Sequence, residues 1–332
     1  MSLSTPSPDL QLSSDSPPLM YAHRADDAEG WAAEHRDAVR AVVAEHGCVV
    51  VRGLGLTDPG TTGAVFRQAA GALMADREPF APRRTYPDGV YSATKWPPNQ
   101  PMCMHHELSY CLEFPGLLQF ACLEASAHGG ATGLADARAV LRALPSGLTE
   151  RFEREGWILA RTYHEEIGAS VAEAFGTDDM EAVADYCRGH AIGFGPQKDG
   201  SLRTRQRRSA VVRHPRDGAP VWFNQIAFLS EWTMEPEVRE YLVDEYGPEG
   251  LPFNTLYGNG DPIEEDVVRT LNEVYEERTV RTRWQPGDLL LVDNLRTAHS
   301  REPFDGPREV LVGLADPVRL ADCAPTVEAA AG

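Results

Sequence analysis

Residues 104–110 read Met104-His105-His106-Glu107-Leu108-Ser109-Tyr110. Far along the chain, residues 287–294 read Gly287-Asp288-Leu289-Leu290-Leu291-Val292-Asp293-Asn294, followed by His299 and Arg308. Alternate side chains of an extended strand face the same way. His105 and Glu107 therefore project together into a barrel interior, and His106 points away. With His299 they supply two imidazoles and one carboxylate. That set holds non-haem Fe(II) on one face and leaves the opposite face open, and it also suits catalytic zinc. A His-x-Glu tripeptide alone is a weak signal, because such short patterns recur by chance. Its plain reading is a satisfied polar pair at a strand end. His106 becomes the competing ligand only if the strand slips by one residue.

In the second stretch, Gln285-Pro286-Gly287-Asp288 is a turn signal that feeds an apolar strand ending at Asp293-Asn294. His299 follows a short loop, a place from which a third ligand can reach a site at the strand end. Read alone, it is a surface histidine. Arg301 and Arg308 come next, and one arginine there can clamp a carboxylate through two parallel hydrogen bonds. Solvated ion pairing is the alternative. Gly129-Gly130-Ala131-Thr132 permits a tight turn that can bring the Thr132 hydroxyl to a pocket. Asp136 and Arg138 can cap and pair on the helix expected next.

Outward from these stretches, Trp31 to His46 carries apolar residues at helical spacing, and Gly47 can end that helix. Cys48 to Gly53 reads as a buried strand and Thr61 to Met74 as a second helix. Strands are expected at Leu117 to Ala125, Trp157 to His164, Val280 to Trp284, Leu289 to Val292 and Glu309 to Gly313. A helix is expected at Val267 to Glu277. Pro215-Arg216-Asp217-Gly218 signals a hairpin between Ala210 to Arg213 and Val221 to Asn224. Short strands without regular helical crossovers favour a barrel or jelly roll decorated with helices. Residues 1–19, rich in Ser and Pro, read as a disordered leader, and residues 323–332 as a flexible tail. No linker or repeat divides residues 20–322, so one domain is expected.

The chain has 332 residues, 42% of them hydrophobic, and a formal net charge of −19. A field of that sign repels phosphate backbones and anionic membranes, which argues against nucleic-acid and membrane partners. No apolar run approaches the roughly 20 residues of a membrane helix, and the first residues lack a basic region followed by an apolar one, so a secretory signal is not expected. Six scattered cysteines without a CxxC suit a reducing cytoplasm better than a disulfide frame.

Taken together, the stretches HHELSY, GGATGLADAR, WFNQ, WQPGDLLLVDN and HSREPFDGPR resemble, in type and order, those of Fe(II)/2-oxoglutarate dioxygenases. The likeness is to the TauD/TfdA superfamily, in particular its clavaminate synthase-like and SyrP-like members, and runs from about Cys48 to about Leu320. The resemblance implies an α+β fold built on a double-stranded β-helix, the cupin-like jelly roll, with iron at the barrel mouth. It implies that His105, Glu107 and His299 hold Fe(II), that Arg308 binds the distal carboxylate of 2-oxoglutarate, and that Thr132 assists. It implies that Asn224 and Gln225 face the pocket as substrate contacts. The family often has His-Asn-Glu where this chain has His105-His106-Glu107. Related halogenases carry a small residue at the Glu107 position, so the carboxylate implies oxygenation rather than halogenation.

The implied reaction consumes O2 and 2-oxoglutarate, releases succinate, and oxidises an unactivated C–H bond. Hydroxylation is the default, and desaturation or cyclisation are its variants. The implied substrate is a small molecule, an amino acid or derivative in antibiotic or peptide biosynthesis. Arg203, Arg205, Arg207 and Arg208 form a basic island whose first three members share one strand face. They read as a solvated edge, as a substrate-carboxylate site centred on Arg203, or as a dock for an acidic carrier protein bearing a tethered substrate. The rival classes are a non-catalytic metal-binding protein and a zinc hydrolase on the same scaffold. Neither has a use for a keto-acid clamp.

Overall fold

The computed structural model describes residues 8–23, 25–79, 81, 83–165, 167–197 and 200–332. Its centre is an eight-stranded sheet. In spatial order the strands are Asp9–Gln11, Leu19–Tyr21, Cys48–Arg52, Leu289–Asp293, Glu113–Glu124, Glu309–Arg319, Val90–Ser92 and Thr85–Tyr86. All neighbours run antiparallel except Leu19–Tyr21 beside Cys48–Arg52. A four-stranded antiparallel sheet holds Thr279–Thr282, Thr132–Asp136, Thr297–Arg301 and Met102–His105.

Alternation along Glu113–Glu124 shows how these layers pack. Leu118, Phe120 and Cys122 join one apolar cluster with Met104, Leu134 and Ala298 of the smaller sheet. Leu117 and Ala121 join another with Val39, Val42, Val65 and Phe66 of the helices Ala28–His46 and Pro59–Ala69. The layers are thus helices, large sheet and small sheet, and the candidate site opens between the two sheets. A third sheet (Gly193–Pro196, Leu202–Arg208, Trp157–Tyr163, Phe253–Tyr257) packs its own apolar residues onto the first cluster.

Local chemistry sets the element ends. Asp27 caps the first helix by accepting from the Gly30 N–H at 2.9 Å, and Gly47 ends it in the left-handed conformation at φ 86°. The second helix begins earlier than expected, because Asp58 caps it and Pro59 opens it, and it stops at Ala69 rather than Met74. Just beyond, the Gly71 and Ala72 N–H groups donate to Asp316 Oδ1 and turn the chain toward the late strand. Asp136 caps Ala137–Ala143 as expected, whereas Arg138 pairs with Asp217 and Arg296 takes the other Asp136 oxygen.

Three expectations are corrected. Residues 9–11 and Leu19, expected in a disordered leader, belong to strands of the large sheet, the second of which runs on to Tyr21 and buries Met20 beneath the first helix. Of that expected leader, residues 1–7 lie outside the described residues. The expected flexible tail is held: Cys323 is buried, and Ala330 and Ala331 pair with Arg207 and Gln206. The late strand runs six residues past Gly313 to Arg319, because Glu113–Glu124 offers a partner along its whole length.

Candidate metal centre

His105 closes the strand Met102–His105, and His299 sits in Thr297–Arg301. The two histidines are direct cross-strand partners, with ring centroids 4.2 Å apart. Glu107 reaches the same point by a route that differs from the expected alternation. It lies beyond the strand, in the turn 107–110, where Leu108 takes φ 54°. Asn294 holds that turn, accepting from the Glu107 N–H at 2.8 Å and donating to the Glu107 and Pro115 carbonyls at 2.9 and 2.8 Å. His106 does point away. Its Nδ1 meets the Asn294 carbonyl and its ring packs on Phe223.

The Nε2 atoms of His105 and His299 lie 3.9 and 3.8 Å from one oxygen of Glu107, Oε2. These gaps are too long for hydrogen bonds, yet all the ligand atoms fall within 4.8 Å of one another. Burial pushes the pKa of both histidines down, that of His299 far down with a further push from His105. Two neutral imidazoles and a carboxylate, close but unbonded, fit a single cation between them. The Nδ1 atom of His105 is fixed by the Cys103 carbonyl at 2.9 Å, and its ring stacks on Phe228, which sets ring direction. Phe120 packs against His299.

The three candidate ligands line a cavity of about 220 Å³ together with Thr132, Arg301, Arg308, Phe120 and Arg83. Of the two late arginines, Arg301 is spent on structure. Its guanidinium donates to the carbonyls of Trp96, Pro97 and Gln100, and burial lowers its pKa to about 10, with Arg308 adding repulsion. Arg308 uses only Nε, which donates to the Gly130 carbonyl at 3.1 Å, and no carboxylate pairs with it among the described residues. Its remaining N–H groups are available to an anion. Thr132 Oγ1 accepts from the Trp284 indole at 3.2 Å, which leaves its own proton free to donate.

Three expected substrate contacts lie elsewhere. Asn224 bonds the Ala210 carbonyl and the Ile226 N–H, and Gln225 donates to the His106 carbonyl at 2.8 Å. Both are buried braces behind His106 and are absent from the cavity lining. Arg203 shares a half-buried face with Arg205 and Arg207, as read, but it pairs with Glu249 at 2.9 Å and lines a different cavity. The residue that sequence reading missed is Arg83, bonded to Glu107 Oε1 at 2.9 Å. It lies in a Pro/Arg stretch, 79–84, with no periodicity or motif to mark it.

Comparison with known proteins agrees with this geometry. The chain is 31% identical over 277 residues to the dapdiamide synthesis protein DdaC of Enterobacter agglomerans, covering 83% of this chain and 84% of that one. It is 27% identical over 285 residues to a clavaminate synthase-like protein of Arabidopsis thaliana, covering 81% and 82%. Among solved structures it resembles PvcB, described as an Fe, alpha-ketoglutarate dependent oxygenase from an isonitrile synthetic pathway (TM-score 0.56, 17% identity, 96% of both chains). It also resembles a putative alpha-ketoglutarate-dependent taurine dioxygenase from Burkholderia xenovorans (TM-score 0.55, 17% identity, 98% and 95%). The model of the family described as "Taurine catabolism dioxygenase TauD, TfdA family" matches residues 14–314, and the chain belongs to that family of dioxygenases.

Proposed function

We propose that this dioxygenase, which works with Fe(II), 2-oxoglutarate and O2, oxidises an amino acid or close derivative in small-molecule biosynthesis, with hydroxylation as its default outcome. The observation that carries the reading is the convergence of His105 Nε2 and His299 Nε2 on Glu107 Oε2, beside an arginine with unspent donors. The two-sheet core around it is read as the double-stranded β-helix. Iron with the keto acid and oxygen supplies the oxidation of a C–H bond, coupled to loss of CO2 and formation of succinate.

The chain's own residues position the reactants. His105 and His299 present neutral nitrogens, and Glu107 presents one oxygen. Arg308 holds the distal carboxylate of 2-oxoglutarate, and the Thr132 hydroxyl donates to the same group. Arg301 fixes the 96–100 turn that forms one wall of the cavity. Phe120 and Phe228 exclude water from the histidines, and keep the bound groups in a dry, oriented setting. Glu107 fills the position that a halide would need, which favours oxygenation over halogenation.

The substrate reading is supported by the relatives named for dapdiamide synthesis and clavaminate synthesis. It extends to a substrate carried on an acidic carrier protein, since Arg205 and Arg207 have no carboxylate partner among the described residues. The test is anaerobic addition of Fe(II) and 2-oxoglutarate, followed by oxygen and a panel of free and carrier-bound amino acids in the presence of chloride. Visible charge-transfer absorption, then substrate-dependent succinate and an oxygenated product, is the expected result. Absence of the absorption, or a chlorinated main product, overturns the reading.

A further inference from the structure

Arg83 lies on the segment between the second helix and the strand Thr85–Tyr86, and its guanidinium is committed on three sides. One terminal nitrogen donates to Glu107 Oε1 at 2.9 Å, and Nε donates to Thr94 Oγ1 at 2.9 Å. The other terminal nitrogen faces Asp76 Oδ2 at 3.7 Å. The side chains of Arg83, Glu107 and Asp76 are only 10%, 10% and 8% exposed. A guanidinium keeps its charge in a protein, and here it stands between two buried carboxylates.

The segment itself is pinned. The Asp76 N–H donates to the Tyr91 hydroxyl at 3.0 Å. The hydroxyls of Tyr110 and Tyr186 donate to the Glu78 carbonyl and carboxylate, each at 2.7 Å, and Arg161 donates to the Pro79 carbonyl at 3.2 Å. Tyr110 belongs to the same turn as Glu107, so the segment and the ligand are tied together.

A carboxylate can hold a cation through one oxygen or both. Glu107 points Oε2 at the histidines and gives Oε1 to Arg83. We propose that Arg83 is a positioning residue that keeps Oε1 off the metal. Glu107 would then present a single oxygen to a bound metal and leave room beside it for the keto acid and oxygen. This inference rests on His105, Glu107 and His299 being the iron ligands. Only a planar fork meets Glu107, Thr94 and Asp76 at once, and a lysine reaches the nearest of them as a point charge.

The test uses the full chain with Co(II) as a spectroscopic probe of coordination and anaerobic Fe(II) for the keto-acid complex. Arg83→Gln is expected to bind Co(II) with an absorption spectrum changed toward higher coordination. At saturating metal, its affinity for 2-oxoglutarate falls about ten- to hundredfold, the range seen when groups that orient metal ligands are removed. Arg83→Lys, which still donates to Oε1, recovers most of that loss and a wild-type-like Co(II) spectrum. Identical spectra and keto-acid affinities in wild type and Arg83→Gln overturn the inference while leaving the metal site standing. Failure of the wild type to bind either metal overturns the site itself. Should Arg83→Gln lack cooperative unfolding, Asp76→Asn and Thr94→Val are read instead. Each removes one restraint on the guanidinium and is expected to weaken keto-acid binding with metal affinity retained, and unchanged keto-acid affinity in both overturns the inference.

Discussion

Asn294 and Glu107 lie 187 positions apart, and the Asn294 side chain closes both backbone polar groups of Glu107, accepting from its N–H and donating to its carbonyl. The amide also holds the Pro115 carbonyl. One side chain thus fastens the end of the Leu289–Asp293 strand to the turn that carries a candidate metal ligand. Asn294→Ala strips partners from buried groups, each costing about 1–3 kcal/mol. The expected loss is about 3 kcal/mol or more in urea unfolding, with weakened Co(II) binding. A loss below about 1 kcal/mol with unchanged metal affinity means the turn is held by other contacts.

Arg308 and Arg301 should separate cleanly by readout. Arg308→Ala removes the unspent donors beside the cavity and should weaken 2-oxoglutarate binding by about 1.5–3 kcal/mol, read by titrating the charge-transfer absorption, with metal binding little changed. Arg301→Ala frees the carbonyls of Trp96, Pro97 and Gln100, so it should lower thermal stability first. Equal keto-acid affinity in wild type and Arg308→Ala would remove Arg308 from the clamp.

Gly130 should tolerate no side chain without a cost in co-substrate binding. It takes φ 73°, and a Cβ there would approach Ser126 Oγ at 2.5 Å and Arg308 Cδ at 3.2 Å. Gly130→Ala therefore strains the backbone and displaces the arginine that bonds its own carbonyl. A drop in 2-oxoglutarate affinity approaching that of Arg308→Ala is the expected outcome. Wild-type affinity would show that Arg308 can reach the anion from more than one position.

Asp288 gives a pH signature away from the metal. Burial pushes its carboxyl up to about 6, against the Gln285 N–H and the Arg52 guanidinium. The folded protein then binds this proton more readily than the unfolded chain, whose carboxyl has a pKa of about 3.9. The stability this group contributes is full below about pH 4 and lost as pH rises through about 6. Asp288→Asn cannot titrate, so its stability relative to wild type should rise by up to about 3 kcal/mol between pH 4 and 7, at about 1.4 kcal/mol per tenfold change in proton affinity. Urea unfolding at the two pH values measures this. A constant gap would mean that the Asp288 carboxyl titrates alike in the folded and unfolded chain.

The sequence by itself singled out the candidate ligands and much of the scaffold. His105, Glu107 and His299 stood out because few residue types bind metals, and their side chains converge. The helix ending at Gly47, the hairpin at 215–218 and the strands at 117, 157 and 289 followed from periodicity and turn chemistry. Alternation put His106 on the right side for a partly wrong reason, since the strand stops at His105 and a turn delivers Glu107. Tertiary structure alone decided everything that depends on who lies across the sheet. Residues 9–11 and 330–331 look loose in composition and become strands because an unpaired edge or strand awaits them. Asn224 and Gln225 turn inward as braces, and Arg203 falls to Glu249, because sequence order says nothing of which face meets the cavity. Arg83 has no pattern of its own, and it bears on the site only because a pinned segment sets it against the Glu107 oxygen that faces away from the histidines.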